Sequence, residues 1–303
     1  MTQRSVDTIR IELDGTSLAA TRRRRSSEDE DAPTVLLLHG WPGSRHDFDA
    51  VIDTLPTESG DLVAPDLPGF GDTTIDPSDI DPSTYRRLVR DAVHGLLDAV
   101  DARSVLAVGY DLGASIAQEL ARSDSRVHAL VLGAPVYAGI GERRFEPAVQ
   151  AELWYQQLHR QPWTPALVSH DRATVDIYLR HFYTHWWGTG RVDDTHFSQV
   201  VNTYSRPRAF EDSITWYRAP THGTTPAASP APALIGQPAT VLWGERDPVN
   251  PPRFADRLGE YFTDHTLTVL PGCGHFIPLE KPAEMAQAIQ HALARLHGVD
   301  AVS

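Results

Sequence analysis

The chain has 303 residues, 41% of them apolar and 22% charged, the proportions of an ordinary folded domain with enough chain to bury a sizeable core. Its 27 basic side chains face 40 acidic ones, a formal charge of −13, which argues against a nucleic acid or an anionic membrane as partner. The single cysteine, Cys273, excludes an intrachain disulfide and a cysteine metal cluster, and without a signal-type or membrane-length apolar run a cytoplasmic location is expected.

Residues 9–20 alternate apolar and polar around Asp14-Gly15 and predict a hairpin. Arg22 to Arg25 followed by Glu28 to Asp31 is a charge run whose signs nearly cancel, which reads as a solvated connection. Val35 to Leu38 is a continuous apolar run, the pattern of a strand buried on both faces of a parallel sheet. It leads into His39-Gly40-Trp41-Pro42-Gly43, and the next short strand, Leu62 to Ala64, leads into Asp66-Leu-Pro-Gly-Phe-Gly-Asp72. Apolar residues from Tyr85 to Val100 recur at helical spacing, with Ser83 available as a cap. A strand at Val105 to Val108, a helix over roughly 112–122 and a strand at Ala129 to Leu132 follow. Strand, helix, strand, helix in this order implies a parallel sheet with right-handed crossovers.

From about Val136 to Tyr217 no strand run is present, and four helical patterns rich in aromatic residues take over, at 146–159, 173–186, 195–204 and 209–218. Residues 219–238 carry five prolines and predict an extended return segment. The sheet resumes at Thr240 to Trp243 and again at Thr266 to Leu270, and a last helix starts at Pro282. The expected architecture is α/β: a mostly parallel sheet formed by residues 1–135 and 233–303, with an all-helical cap at 136–232.

The chemistry centres on Gly109-Tyr-Asp111-Leu-Gly113. Two glycines flanking one polar residue at a strand-to-helix junction have the spacing of a nucleophile elbow, where a Cβ beside the bend would collide with its neighbours. Asp111 stands at the apex. A carboxylate is ionised at neutral pH and needs no base to become a nucleophile. It can displace a leaving group from saturated carbon and leave an alkyl ester, which an activated water must then hydrolyse. Two further candidates follow at strand ends, Asp247 in Gly244-Glu-Arg-Asp-Pro248 and His275 in Gly272-Cys-Gly-His-Phe276. Ligands of open α/β sheets bind at the carboxyl ends of the strands, so all three converge on one edge. Glu245, two residues before Asp247, is the competing acid.

The order nucleophile, acid, histidine resembles that of the α/β-hydrolase superfamily along nearly the whole chain. Some relatives with an aspartate nucleophile place the acid after the strand at 129–132; here Gly133-Ala134-Pro135 follows it, which favours Asp247. The resemblance implies an oxyanion hole made by the backbone N–H groups of Leu112 and Trp41, with Pro42 restricting the path of Trp41. An aspartate elbow narrows the likeness to epoxide hydrolases and dehalogenases. Haloalkane dehalogenases usually carry a tryptophan directly after the nucleophile, where this chain has Leu112. Fluoroacetate dehalogenases hold the substrate carboxylate with arginines just after it, and here none precedes Arg122.

An opened epoxide becomes an alkoxide and needs a proton donor, for which a phenol is suited. Glu152-Leu-Trp-Tyr155 and Thr215-Trp-Tyr217 are similar to the lid-tyrosine regions of soluble bacterial-type epoxide hydrolases. The implied function is conversion of an apolar epoxide and water to a vicinal diol, with no metal or cofactor, through Asp111, Asp247, His275, Tyr155 and Tyr217. The alternative is a haloalkane or haloacid dehalogenase using the same three triad residues.

Overall fold

The structure, a computed structural model, describes residues 6–25, 32–57, 59–76, 80–189, 193–219 and 234–296. Strands β1 (Val6–Leu13) and β2 (Thr16–Arg23) form the expected hairpin, closed at Gly15 with φ 69°. The core strands are β3 (Thr34–Leu38), β4 (Leu62–Pro65), β6 (Val105–Tyr110), β7 (Val127–Gly133), β8 (Ala239–Gly244) and β9 (His265–Leu270). The sheet has nine strands in the order β1-β2-β4-β3-β6-β7-β8-β9, with the short β5 (Thr74–Ile75) pairing β2. Pairing is parallel from β4 through β9 and antiparallel around β2. Every residue of β3, β4, β6 and β8 is buried, as continuous apolar runs require in a sheet covered on both faces. Strand β9 is an edge, and its residues 266–269 are exposed.

The sheet is flanked by α1 (Asp49–Thr54), α2 (Tyr85–Ala99), α3 (Leu112–Ser123) and, after the insertion described next, by α11 (Ile277–Glu280) and α12 (Pro282–Leu296). Helix α2 buries Tyr85, Val89, Ala92, Val93, Leu96 and Leu97, one stripe at helical spacing. Its start differs from the expectation: Thr84 occupies the cap position, and the Ser83 N–H donates to Asp81 at 2.7 Å instead.

Between β7 and β8 the described chain forms helices only: α4 (Pro147–Glu152), α5 (Trp154–His159), α6 (Thr164–Val168), α7 (Arg172–His185), α8 (Asp194–Tyr204), α9 (Ala209–Ser213) and α10 (Thr215–Arg218). Two of the four predicted helices are broken in two, at Leu153 and Ile214, and the one-turn α6 was too short to leave a periodic signal. A tight 3-10 stretch, Ala138–Phe145, leads from β7 into this layer. The proline-rich segment falls mostly on residues 220–233, outside those described. We propose to treat residues 136–232 as a cap over the core. The tie between the layers is direct: Tyr183 donates to the Pro42 carbonyl at 3.0 Å, Tyr204 exchanges bonds with Gly43, and Arg206 pairs with Asp72 at 2.6 Å.

The elbow depends on absent side chains. A Cβ on Gly109 would run into the Gly113 carbonyl, and one on Gly113 into the Leu38 carbonyl of the neighbouring strand. Neither obstacle is a flexible side chain. Gly113→Ala is therefore expected to destabilise the fold by about 3 kcal/mol, the upper end for overpacking. Gly236, whose added Cβ meets nothing within 4 Å, serves as the control, and Gly236→Ala should change stability by less than about 0.5 kcal/mol. Urea midpoints check this; equal midpoints for the two variants would contradict it.

Candidate active site

Asp111 terminates β6 and caps α3 with φ 50° and ψ −119°. This conformation is rare for a residue with a side chain and costs on the order of 1–3 kcal/mol, which the surrounding fold must hold in place. Gly40 makes room for it, since a Cβ there would sit 2.6 Å from the Asp111 Cβ. The loop after β3 delivers the backbone N–H of Trp41, which donates to Asp111 Oδ1 at 2.8 Å. Leu112 is the first residue of α3, at the positive end of the helix. The Trp41–Pro42 peptide bond is cis.

The loops after β8 and β9 bring the other two residues. His275 Nε2 lies 3.3 Å from Asp111 Oδ2, and its Nδ1 lies 2.8 Å from Asp247 Oδ2. Asp247 Oδ1 accepts from the backbone N–H groups of Val249 and Asn250 at 2.8 and 2.9 Å, so one oxygen is anchored and the other left for the imidazole. The two loops touch: a Cβ on Gly244 would strike the Gly274 carbonyl. Glu245, the competing acid, instead accepts from the Gly272 N–H at the exposed rim. The His275 N–H donates to the carbonyl of Trp186, a cap residue, at 2.8 Å.

Burial disfavours the imidazolium of His275. The charge of Asp247, the hydrogen bonds to Asp111 and Asp247, and the charge of Asp111 outweigh it and raise the pKa from 6.5 to about 10. The free site therefore holds a charged imidazole between two carboxylates.

Tyr155 on α5 and Tyr217 on α10 are buried and come together, with ring centroids 5.6 Å apart. The Trp41 indole stacks on Tyr155 at 5.4 Å with its plane only 5° away, and meets Tyr217 edge-on at 5.8 Å. Burial, with the nearby Asp111 charge added, pushes Tyr155 well above an ordinary phenol. Burial does the same to Tyr217, helped by Tyr155 and Asp111. Both phenols thus stay protonated while feeling the same carboxylate. The Tyr155 hydroxyl accepts from Gln156 at 3.2 Å. The Tyr217 hydroxyl lies close to it without meeting hydrogen-bond geometry, and it has no partner among the described residues, although it is buried. An orphaned buried hydroxyl costs about 1–3 kcal/mol unless something else satisfies it.

The residues picked out from the sequence therefore meet at one place. Of the cap tryptophans, Trp186 is buried with its ring 5.3 Å from that of His275, Trp187 is half-buried, and Trp154 and Trp163 are exposed. Asn250, Arg144 and Glu280 carried no sequence signal. Asn250 holds the Asp247 turn, and Glu280 accepts from the Gly188, Gly274 and Phe276 N–H groups around His275. Arg144 reaches Asn250 Oδ1 at 3.0 Å.

The profile of the Alpha/beta hydrolase family matches residues 35–288. The chain belongs to that family. It is a hydrolase. The soluble epoxide hydrolase of Corynebacterium sp. (strain C12) is 26% identical over 255 residues, covering 82% of this chain and 85% of that one. Epoxide hydrolase A of Mycobacterium tuberculosis is 25% identical over 97% of this chain and 98% of that one. The solved structure described as epoxide hydrolase CorEH without ligand superimposes with a TM-score of 0.80 at 23% identity, over 96% of this chain and all of that one. At that identity it speaks for the fold alone. No described helix is long and apolar enough to cross a membrane.

Because the His275 pKa is raised on folding, the stabilisation it brings is complete below its unfolded value of 6.5 and is lost as pH rises through about 10. The difference in Tm between wild type and His275→Gln should shrink across that window. A difference that grows with pH would contradict the assignment.

Proposed function

We propose that this hydrolase opens epoxides to vicinal diols through an ester on Asp111. The observation that carries the reading is the pair of buried, protonated phenols, Tyr155 and Tyr217, beside the Asp111 carboxylate. A halide leaves as a stable anion and needs no proton, whereas a ring oxygen leaves as an alkoxide and does. The names of the relatives above support the same reading.

In the first step Asp111 Oδ2, the oxygen away from the Trp41 N–H, forms a bond to a ring carbon. That carbon releases the ring oxygen, which takes a proton from one tyrosine while the other donates a hydrogen bond. Alkylation neutralises Asp111. His275 then loses the charge and the hydrogen bond that had helped to hold its proton, so its pKa falls. Its proton passes to the tyrosinate left by ring opening; once neutral, and oriented by Asp247, it takes a proton from water as the water attacks the Asp111 carboxyl carbon. Negative charge collects on Oδ1, to which Trp41 already donates, with Leu112 as the second backbone donor. Collapse of this intermediate breaks the bond from the carboxyl carbon to the diol oxygen, which takes the proton held by His275. The remaining carboxyl proton returns to His275, restoring the Asp111 carboxylate and the charged imidazole. Neither a metal nor an organic cofactor takes part, and the cytoplasm is the proposed location.

A panel of aryl and alkyl epoxides and haloalkanes, read for diol and for halide, separates this reaction from dehalogenation. Diol formation is expected; halide release without diol would sink the proposal. Intact-mass measurement then tests the steps. His275→Gln should slow ester hydrolysis by about 10²–10⁴-fold and accumulate a protein heavier by one epoxide. Adding Tyr155→Phe and Tyr217→Phe to that variant should prevent the adduct from forming. An adduct forming at the same rate without the phenols would remove them from the mechanism.

A further inference from the structure

Arg144 lies near the end of the 3-10 stretch that leads out of β7, and its half-buried side chain reaches the Asn250 turn. Burial lowers its pKa, and the groups that oppose this are Tyr155, Asp111, Tyr217 and Asp247, which are the side chains of the proposed site. Asn250, to which Arg144 donates, itself donates its backbone N–H to Asp247 Oδ1, so the cation sits against the Asp247 loop. It is also held. Nη1 donates to Asn250 Oδ1 at 3.0 Å, and Asn250 is immobilised through bonds to the Ala134 carbonyl, from Trp243 Nε1, and to Asp247 Oδ1.

Its other donors are unspent. No carboxylate stands within 4.0 Å of the guanidinium among the described residues, and Asn250 is its one hydrogen-bond partner there. A neutral amide does not neutralise a charge. An arginine held for structure spends its donors, as buried Arg23 does on the carbonyls of Ile52, Leu55 and Pro56. Asp111 and Asp247 outnumber the His275 cation, and Arg144 adds a second positive charge beside them. Without Arg144 the free site would be negative and would repel an anion, as the acidic chain does at large.

We propose that Arg144 is the counter-ion for an anionic group on the substrate, so that the preferred epoxides carry a carboxylate close to the ring. This rests on the ring-opening reading for the word epoxide, but not for the anion. The guanidinium fork would take the carboxylate bidentately, placing the ring between Asp111 and the two phenols, with the aromatic wall of Trp41 and Trp186 against the apolar remainder. The assigned substrate class is an epoxy acid with an apolar body. Arg144 is thereby a specificity residue that takes no part in bond making.

The test compares 3-phenylglycidate with 3-phenylglycidamide, two epoxides that differ only in charge. Wild type should favour the acid by about tenfold or more in kcat/KM, with the difference in KM. Arg144→Gln should collapse that ratio towards one, and Arg144→Lys should restore part of it. Equal kcat/KM for the two compounds in wild type would overturn the proposal. So would Arg144→Gln lowering kcat alike on both, since the guanidinium would then be acting on Tyr155 instead of on the substrate. Binding of phenylacetate and phenylacetamide, followed by tryptophan fluorescence, needs no turnover. Phenylacetate should bind about tenfold more tightly to wild type, with the advantage lost in Arg144→Gln. If neither epoxide is opened but this difference holds, the ring-opening reading fails and the anion site stands. Equal binding of the two would remove the anion site whatever the activity.

Discussion

The structure hangs on one close approach, that of the backbone at the elbow. Strand β6 must turn into α3 within a single residue, and that residue must point its carboxylate out of the sheet. The turn is possible because Gly109 and Gly113 let backbone meet backbone, and because Gly40 clears the space that the Asp111 side chain fills. Asp111 then takes a φ of 50°, a strained state that the packed sheet around it enforces. Everything else in the site is placed relative to that carboxylate. Its Oδ1 is held by the Trp41 amide and its Oδ2 faces His275, so the two oxygens are already distinct.

Electrostatics in so dry a place depend on which groups are charged at each stage. In the free site His275 sits between two carboxylates and holds its proton tightly. A base that cannot lose its proton would be useless, but the proposed ester removes one of the two charges at the moment the base is wanted. In the proposed reaction the same carboxylate would thus be nucleophile and would set the protonation state of the histidine that later releases it. Arg144 adds a positive charge beside the Asp247 loop and has no ion-pair partner among the described residues.

The cap contributes two buried phenols, the proposed proton donors. Trp41 belongs to the core loop, yet its indole is enclosed by cap side chains: Tyr155 on its face, and Phe182, His159 and Tyr217 at its edges. Burial keeps the two phenols protonated, and the Tyr217 hydroxyl has no partner of good hydrogen-bond geometry among the described residues. In the proposed reaction a ring oxygen would be that partner. The cap also reaches the histidine loop through the Trp186 carbonyl, so movement of the cap would be felt at His275.

The sequence by itself determined whatever rests on local pattern. Continuous apolar runs give buried parallel strands, glycine spacing gives the elbow, and three polar residues at strand ends meet, because the topology of such a sheet brings strand ends to one edge. The hairpin at Gly15 and the last helix from Pro282 were legible for the same reason. Only the tertiary structure decided between Asp247 and Glu245, since two carboxylates two residues apart look alike until the chain bends and one of them meets the imidazole. It likewise decided which aromatic cap residues turn inward, because Trp154 and Trp186 differ in burial for reasons of packing that no short window records. Arg144 lay furthest from view. An arginine beside another arginine on a short, kinked segment reads as surface, and its place in the site depends on where a non-periodic stretch of backbone comes to rest against the Asn250 turn.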